Sequence, residues 1–109
     1  MIATMYRILF LCLLLFSPSS FAGDPLIIDV RSSSEFSDKH VEDALNIEHS
    51  DIANGAQQRN IEKDSAIYLY CGTGKRAEMA RQSLLKAGYS NVTNLGGLQQ
   101  ALEFSSSQD

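Results

Sequence analysis

The feature that most constrains this chain is a short predicted strand that is followed by a cysteine, a glycine-rich turn and a helix. Residues 66–70, Ala-Ile-Tyr-Leu-Tyr, are dense in β-formers and predict a buried strand. Cys71 follows, and the apolar spacing of residues 77–87 predicts a helix soon after it. Exposed backbone N–H groups and the helix dipole at such a junction lower the pKa of a cysteine. The pattern therefore predicts a thiolate nucleophile at the end of a strand.

Strands and helices alternate along the rest of the chain. Strands are predicted at residues 26–30, 44–47, 66–70 and 91–95, and helices at about 32–38, 50–59, 77–87 and 98–104. Ser32 and Glu35 form a capping-box pattern. Gly88 fits a left-handed helix end, Gly96-Gly97 predicts a tight turn, and the tail from Ser105 onward is expected to be frayed. The alternation predicts an α/β fold with a central, mostly parallel sheet flanked by helices.

The N-terminus has the pattern of a cleavable signal peptide. Arg7 precedes the apolar run of residues 8–16, and small residues lead up to Ala22. The apolar run is far shorter than the roughly 20 residues that cross a membrane, so we expect cleavage after Ala22 rather than anchoring. Residues 1–22 are therefore predicted to be a signal peptide, and residues 23–109 a single domain of an exported protein.

The charge of the chain limits its classes of partner. Once residues 1–22 are removed, eight Lys and Arg remain against thirteen Asp and Glu, which gives a formal net charge of −5. This acidic balance argues against nucleic acid or an anionic membrane surface as a partner. Lys75 and Arg76 form a local basic spot beside Cys71, which suits a small anionic ligand.

Cys71 is the only cysteine that remains after removal of the signal peptide, because Cys12 lies within it. A lone thiol in an exported protein is a buried core residue, a working nucleophile or half of an intermolecular disulfide. The Gly-Thr-Gly turn that follows Cys71 makes burial in an apolar core the less favoured of these interpretations.

The turn after the cysteine has the residues of an anion-binding loop. Gly72 and Gly74 permit the backbone angles that let successive amides converge on one point. Arg76 is placed to close this ring with a forked, charge-assisted contact, and Lys75 adds charge that favours the thiolate. Together with Thr73 between the glycines, these residues are the predicted site for a covalent intermediate on sulfur.

Other charged residues are assigned structural or solvated roles. Asp29 ends a buried strand, where we expect it to accept hydrogen bonds from nearby amides. Arg31 is expected to pair with Glu35. His40 and His49 lack further ligands at metal-binding spacing, so we expect solvated loop histidines and no metal site.

The six residues from Cys71 to Arg76 resemble the active-site loop of rhodanese-family sulfurtransferases. The related cysteine-dependent phosphatases have a loop one residue longer. Further segments resemble the family's opening, middle and closing elements: Asp29-Val30-Arg31, Glu35-Phe36, His40-Val41, residues 44–47, Ala87-Gly88-Tyr89 and Leu95-Gly96-Gly97-Leu98. Lys39 and Asp43 stand where the family has glycines, and Glu48 where it often has proline. With the signal pattern, the resemblance is closest to the small, phage-shock-type periplasmic rhodaneses.

The resemblance implies a small rhodanese-like α/β domain that acts as a thiosulfate sulfurtransferase in the periplasm. Cys71 would attack the outer sulfur of a donor such as thiosulfate, form a persulfide and pass the sulfur to cyanide or a thiol. Backbone amides from Gly72 to Arg76 would stabilise the persulfide, while Lys75 and Arg76 would bind the anionic donor. The resemblance implies no metal and no organic cofactor. The implied partners are the donor, the acceptor and, as a further candidate, a reductant protein.

Two alternatives remain open. The first is a non-catalytic persulfide carrier or binding module, in which Cys71 holds sulfur for a partner without fast turnover. The second is a cysteine-dependent phosphatase or arsenate-type reductase. The short loop argues against the second alternative, and so does the absence of a second cysteine from residues 23–109.

Overall fold

A four-stranded parallel sheet forms the centre of residues 25–108, the part of the chain that the computed structural model describes. The strands are β1 (Leu26–Asp29), β2 (Leu45–Asn46), β3 (Ile67–Cys71) and β4 (Val92–Gly97). The helices are α1 (Ser33–Asp38), α2 (Ile52–Gln58), α3 (Lys75–Lys86) and α4 (Leu98–Ser107), with a 3-10 turn at His49–Asp51. No helix in this part of the chain has both the length and the apolar character needed to cross a membrane. The predicted α/β architecture is confirmed, whereas the predicted signal peptide at residues 1–22 lies outside the described residues.

The strand order places the end of β3 in the middle of one sheet edge. The strands lie in the order β2-β1-β3-β4, and all three neighbouring pairs are parallel. The carboxyl ends of parallel strands share one edge, so Asp29, Cys71 and Gly97 end their strands on the same side. Cys71 is paired directly with Gly97. The candidate nucleophile is therefore flanked by the ends of both neighbouring strands.

Helices cover both faces of the sheet. Side chains alternate along a strand, so Ile67, Leu69 and Cys71 all point to the face covered by α2 and α3. The core on that face contains Ile28, Val30, Ile47, Ile52, Ala56, Ile67, Leu69, Cys71, Ala77, Ala80, Leu84 and Tyr89. The other face packs against α4 through a smaller cluster of Ile27, Val41, Tyr70 and Ala101. Burial on both faces explains why the central strands are almost continuously apolar.

Two predicted helix signals are confirmed. The Ser32 Oγ accepts a hydrogen bond from the Glu35 backbone N–H at 3.3 Å, while the Glu35 carboxylate accepts one from the Ser32 backbone N–H at 3.1 Å. Gly88 follows α3 with a left-handed φ of 99°. Asp43 also has a left-handed φ, of 69°.

Three predicted boundaries are wrong by a few residues. The helix after the cysteine begins at Lys75, two residues earlier than expected, directly after a left-handed glycine. Gly96-Gly97 is not a turn, because a register shift lets β4 continue and pair these residues with Tyr70 and Cys71. Ser105–Ser107 is not frayed but completes α4.

The expected pairing of Arg31 with Glu35 is wrong. Arg31 instead forms a buried ion pair with Asp29, with Nη2 2.7 Å from Oδ2 and Nε 3.0 Å from Oδ1. The two side chains lie two residues apart and so point the same way, whereas Glu35 is held by Arg76. As predicted for an acid at a strand end, Asp29 Oδ1 also accepts a hydrogen bond from a backbone amide, that of Arg31, at 2.9 Å. The Arg31 Nη2 also donates to the Lys39 carbonyl oxygen at 2.6 Å, so the buried charges are compensated.

Candidate active site

Cys71 lies at the carboxyl end of β3 and is buried against α3. It is 1% exposed and belongs to the larger core cluster together with Ala77. The expectation that the glycine turn would keep this thiol out of the core is therefore wrong. The physical reason is that β3 continues through Cys71, so the side chain follows Ile67 and Leu69 onto the face that α3 covers.

The buried sulfur is nevertheless surrounded by hydrogen-bond donors. Its Sγ accepts hydrogen bonds from the backbone N–H groups of Gly74 at 3.0 Å and Ala77 at 3.4 Å. Burial raises the pKa of the Cys71 thiol, but the surrounding amides outweigh that effect and bring the pKa below its usual value of 9.0. The amides that contribute are those of Ala77, Thr73, Gly74 and Arg76. Cys71 therefore combines the burial of a core residue with hydrogen bonds that favour the ionised form of its thiol.

Glycines allow the loop to pack directly against the end of β4. A Cβ at Gly97 would overlap the Gly72 carbonyl oxygen. Gly74 has a left-handed φ of 98°, and a Cβ there would lie 3.2 Å from the Gly96 Cα. Two backbone segments thus approach more closely than residues with side chains permit. The assignment of Gly96-Gly97 to a turn missed this role, in which the two glycines form a wall of the site.

Asn94 braces the loop from β4, a role that the sequence analysis missed. Its Nδ2 donates to the Gly74 carbonyl oxygen at 2.9 Å, and its Oδ1 accepts from the Gly96 backbone N–H at 2.9 Å. The same Nδ2 lies 3.4 Å from a carboxylate oxygen of Glu78 on α3. Asn94 therefore links the residue that precedes α3 to the end of β4. In the sequence, Asn94 is only a polar residue within a predicted strand, and many polar residues in strands have no such role.

Arg76 reaches from the first turn of α3 to α1. Its Nη1 lies 2.8 Å from Glu35 Oε1 and its Nη2 3.2 Å from Oε2, which makes a two-point ion pair. The hydrogen bond from Arg76, followed by that from the Ser32 backbone N–H, lowers the pKa of Glu35 to about 2. The same contact with Glu35 raises the pKa of Arg76. Arg76 Nη2 also lies 3.3 Å from the position that a Cβ at Gly72 would occupy, so the guanidinium extends over the loop.

The fold brings the predicted loop residues together around one sulfur, but the two cations of the loop have different surroundings. Gly72, Thr73 and Lys75 are exposed. Lys75 takes part in no ion pair with another described residue, whereas the fork of Arg76 is engaged by Glu35. The loop therefore presents an exposed ammonium and a guanidinium whose charge is already matched.

The two histidines lie outside this site. His40 is exposed and stacks on Phe36, with ring centroids 3.6 Å apart. His49 belongs to the 3-10 turn and is half-buried. Between residues 25 and 108, no group of three or more His, Cys, Asp or Glu side chains is arranged to hold a metal ion.

A parallel α/β domain with a cysteine at a strand end, whose sulfur accepts hydrogen bonds from amides at a helix N-terminus, has the arrangement of a cysteine-nucleophile domain. In this chain the donors converge on the sulfur itself, with Gly74 N 3.0 Å away. The loop spans six residues from Cys71 to Arg76.

Comparison with known proteins identifies the family of the chain. It matches the rhodanese-like domain family over residues 19–103. It is 32% identical over 85 residues to the thiosulfate sulfurtransferase PspE of Escherichia coli (strain K12), covering 78% of this chain and 81% of that protein. It is 32% identical over 74 residues to a sulfurtransferase of Allochromatium vinosum, covering 68% of this chain and 67% of that protein. The solved structure of a rhodanese with anions from E. coli superimposes with a TM-score of 0.67 at 28% identity, covering 71% of this chain and 91% of that one.

The chain therefore belongs to the rhodanese-like domain family. The match confirms both the family and the fold that the loop and its flanking motifs predicted. Two of these relatives are named sulfurtransferases, which supports sulfur transfer as the general activity.

Proposed function

We propose that this chain is a thiosulfate sulfurtransferase that carries sulfur as a persulfide on Cys71. The observation that carries the proposal is the Cys71 Sγ with the amides of Gly74 and Ala77 directed at it. A thiolate held in this way is a nucleophile, and the same kind of amide ring can stabilise the negative outer sulfur of a persulfide. The relative named thiosulfate sulfurtransferase supports thiosulfate as the donor.

The reaction consists of two sulfur transfers. In the first, the Cys71 thiolate attacks the outer sulfur of thiosulfate. A new S–S bond forms, the S–S bond of the donor breaks, and sulfite leaves with the electron pair. In the second, cyanide or a thiolate attacks the outer sulfur of the persulfide, and Cys71 leaves as a thiolate. The products are thiocyanate or an acceptor persulfide, and the cycle needs no external reductant, metal or organic cofactor.

The loop cations would guide the donor to the sulfur. Lys75 is exposed and unpaired among the described residues, so its ammonium can attract an anion at low cost. Arg76 extends over Gly72 and would contact the donor from the other side of the loop. The proposed partners are a small anionic sulfur donor and cyanide or a thiol acceptor, with a reductant protein that keeps Cys71 reduced as a further candidate.

Intact-protein mass spectrometry tests the persulfide. The reduced protein is incubated with thiosulfate, desalted and then treated with cyanide. A gain of one sulfur atom that cyanide removes, with release of thiocyanate, is expected for wild type and for Cys12→Ser but not for Cys71→Ser. An absence of that gain, while iodoacetamide still alkylates Cys71, would refute thiosulfate as the donor. Phosphate-ester and arsenate substrates would then test the phosphatase and reductase alternatives.

A persulfide carrier is the second candidate, and the burial of Cys71 favours it. At 1% exposure, the sulfur is less accessible to free small molecules than an open active-site thiol. Steady-state thiocyanate formation separates the two functions. Many turnovers per Cys71 support the enzyme, whereas a single stoichiometric burst supports the carrier.

We also propose that the protein is exported to the periplasm with loss of residues 1–22. The apolar run after Arg7 and the small residues up to Ala22 support this location. Expression in a bacterial host, followed by fractionation and intact mass measurement, provides the test. A periplasmic product that begins at Gly23 is expected, and a full-length cytoplasmic product would contradict the proposal.

A further inference from the structure

We propose that Glu35 determines which anions reach Cys71, because it cancels the charge of Arg76 at the rim of the loop. By removing one positive charge, Glu35 weakens the preference of the site for doubly charged over singly charged sulfur donors. The statement about donors rests on the proposed function. The statement about charge beside Cys71 does not, and can be tested without sulfur transfer.

Hydrogen bonds from Ser32 hold the Glu35 carboxylate in place independently of Arg76. Glu35 belongs to α1, and its Oε1 accepts hydrogen bonds from both the backbone N–H of Ser32 at 3.1 Å and the Ser32 Oγ at 3.0 Å. The two nitrogens of Arg76 then bind Oε1 at 2.8 Å and Oε2 at 3.2 Å. A carboxylate with this many donors stays ionised, and its pKa is accordingly lowered to about 2. Glu35 therefore carries its negative charge throughout the pH range in which a thiolate can act.

Arg76 is close enough to the sulfur for its charge to matter. Its Nη2 lies 3.3 Å from the point where a Cβ at Gly72 would sit, and Gly72 directly follows Cys71. The Cys71 thiolate is itself one of the charges that raise the pKa of Arg76, after the contact with Glu35. An anion above the sulfur would experience the same guanidinium. A dianion gains twice as much from one positive charge as a monoanion does, so neutralising that charge acts selectively on dianions.

The expected effect is moderate because the pair is partly in solvent. The side chains of Arg76 and Glu35 are 36% and 38% exposed, so water and salt screen their fields. Interactions of this kind amount to about two- to fivefold in a rate or affinity at low salt. The Debye length is about 3 Å in 1 M salt, and the effect should largely disappear there.

If the Glu35–Arg76 pair only held α1 against the loop, its loss would affect sulfur transfer in a different way. Loss of such a tie loosens the loop and lowers sulfur transfer from every donor by the same factor. A charge effect instead changes the ratio between donors of different charge. Thiosulfate and methanethiosulfonate share a sulfur–sulfonyl group and the same S–S cleavage, releasing sulfite and methanesulfinate respectively. They carry two charges and one, so the ratio of their kcat/KM values isolates the charge effect.

The donor experiment measures that ratio in wild type, Glu35→Gln, Arg76→Gln and the double variant. Glu35→Gln is expected to raise the thiosulfate-to-methanethiosulfonate ratio about two- to fivefold at low salt, and Arg76→Gln to lower it. The double variant should return close to wild type, because both have the same net rim charge. Glu62→Gln is the matched control, since Glu62 is exposed and precedes β3 at the opposite sheet edge from Cys71. An unchanged ratio in Glu35→Gln, or an equal change in Glu62→Gln, overturns the proposal.

Alkylation measures the charge beside Cys71 independently of sulfur transfer. Iodoacetate is an anion and iodoacetamide is neutral, and both react with the same thiolate, so a change in the ratio of their rates at one pH reports a change in local charge. Glu35→Gln should raise the iodoacetate-to-iodoacetamide ratio in a Cys12→Ser background, and 1 M salt should remove the difference. No change in this ratio refutes the charge assignment. If wild type accepts sulfur from neither donor while the ratio rises as expected, the proposed function fails and the charge assignment stands.

Discussion

Glu35 and Arg76 are 41 residues apart in sequence, yet their side chains form a two-point ion pair that joins α1 to the Cys71 loop. Asn94 holds the same loop from β4, through the Gly74 carbonyl oxygen. The two ends of the loop are continuous with β3 and α3. Four separate elements therefore fix the amides that surround the sulfur. This preorganisation matters because donors already aimed at a developing charge need no rearrangement during the reaction.

The Glu35–Arg76 pair makes stability depend on pH in acid. The pKa of Glu35 is lowered from 4.5 to about 2, so ionised Glu35 is favoured in the folded state. Its contribution is therefore present above pH 4.5 and lost as the pH falls through about 2. Because both partners are more than a third exposed, solvent screening limits the contribution to about 0.2–1 kcal/mol. Urea denaturation should show Glu35→Gln less stable than wild type at neutral pH, with the difference shrinking towards pH 2.

The same substitution at an unpaired position provides the control for this experiment. Glu62→Gln removes an exposed carboxylate that makes no ion pair with another described residue. Its stability difference from wild type should lack the loss between pH 4.5 and about 2 that is expected of Glu35→Gln. A Glu35→Gln difference that stays constant down to pH 2 would show that the ion pair does not favour the ionised form.

The opposing effects on Cys71 predict a thiol that ionises more readily than a free cysteine. Burial raises the pKa of Cys71, but the amide hydrogen bonds prevail and the pKa lies below 9.0. The rate of iodoacetamide alkylation, measured against pH in a Cys12→Ser background, should therefore reach half its plateau below pH 9.0. The same protein unfolded in urea supplies the reference. A folded midpoint at or above the unfolded one would mean that burial outweighs the amides.

The elements around the site were predictable where their signals are local. A strand is predicted from the β-forming residues 66–70, and a capping box from Ser32 and Glu35. Both signals depend only on neighbouring residues, and both features appear in the fold. Gly88 likewise needs only its own helix to adopt a left-handed conformation. Parallel order follows from alternation, because a strand–helix–strand unit returns in the same direction.

The contacts that the sequence did not predict are those made between distant segments. The sequence predicts a pair between Arg31 and Glu35, but the strand geometry places the Arg31 side chain against Asp29. Glu35 instead forms an ion pair with Arg76, which lies close to it only in the folded protein. The burial of Cys71 was missed for a related reason. The glycine turn suggested an exposed loop, whereas the length of β3 determines the face on which the sulfur lies.

The close approach of β4 to the loop predicts that Gly97→Ala damages activity. A Cβ at this position would overlap the Gly72 carbonyl oxygen and push the loop away from the sulfur. We expect a loss of about 1–3 kcal/mol in stability and about 10- to 100-fold in kcat/KM for sulfur transfer. Gly88→Ala is the control, because Gly88 has a φ of 99° after α3, away from the loop. It should cost about 1–2 kcal/mol but leave kcat/KM unchanged. Equal losses of kcat/KM in both variants would show that stability alone governs activity.

Because the Asp29–Arg31 pair is buried, we predict that breaking it costs far more stability than breaking a surface ion pair. Asp29→Asn leaves Arg31, which is 7% exposed, without its counter-charge. We expect a loss of about 3–5 kcal/mol in the free energy of unfolding by urea denaturation. Arg81→Gln breaks the surface pair with Glu78, whose two side chains are 32% and 46% exposed, and should cost much less stability. Similar costs for the two variants would contradict the idea that burial gives the first pair its importance.

The bracing role of Asn94 predicts a change in the reactivity of Cys71 when the Asn94 side chain is altered by one atom. Asn94→Asp replaces the Nδ2 donor with an oxygen that faces the Gly74 carbonyl and the Glu78 carboxylate, so the brace becomes repulsive. We expect a loss of about 1–3 kcal/mol in stability. The alkylation midpoint of Cys71 should rise, because the Gly74 amide that donates to the sulfur is no longer held. Asn91→Asp makes the same change at an exposed residue before β4 and should leave that midpoint in place. An equal rise in both variants would assign the effect to added negative charge rather than to the brace.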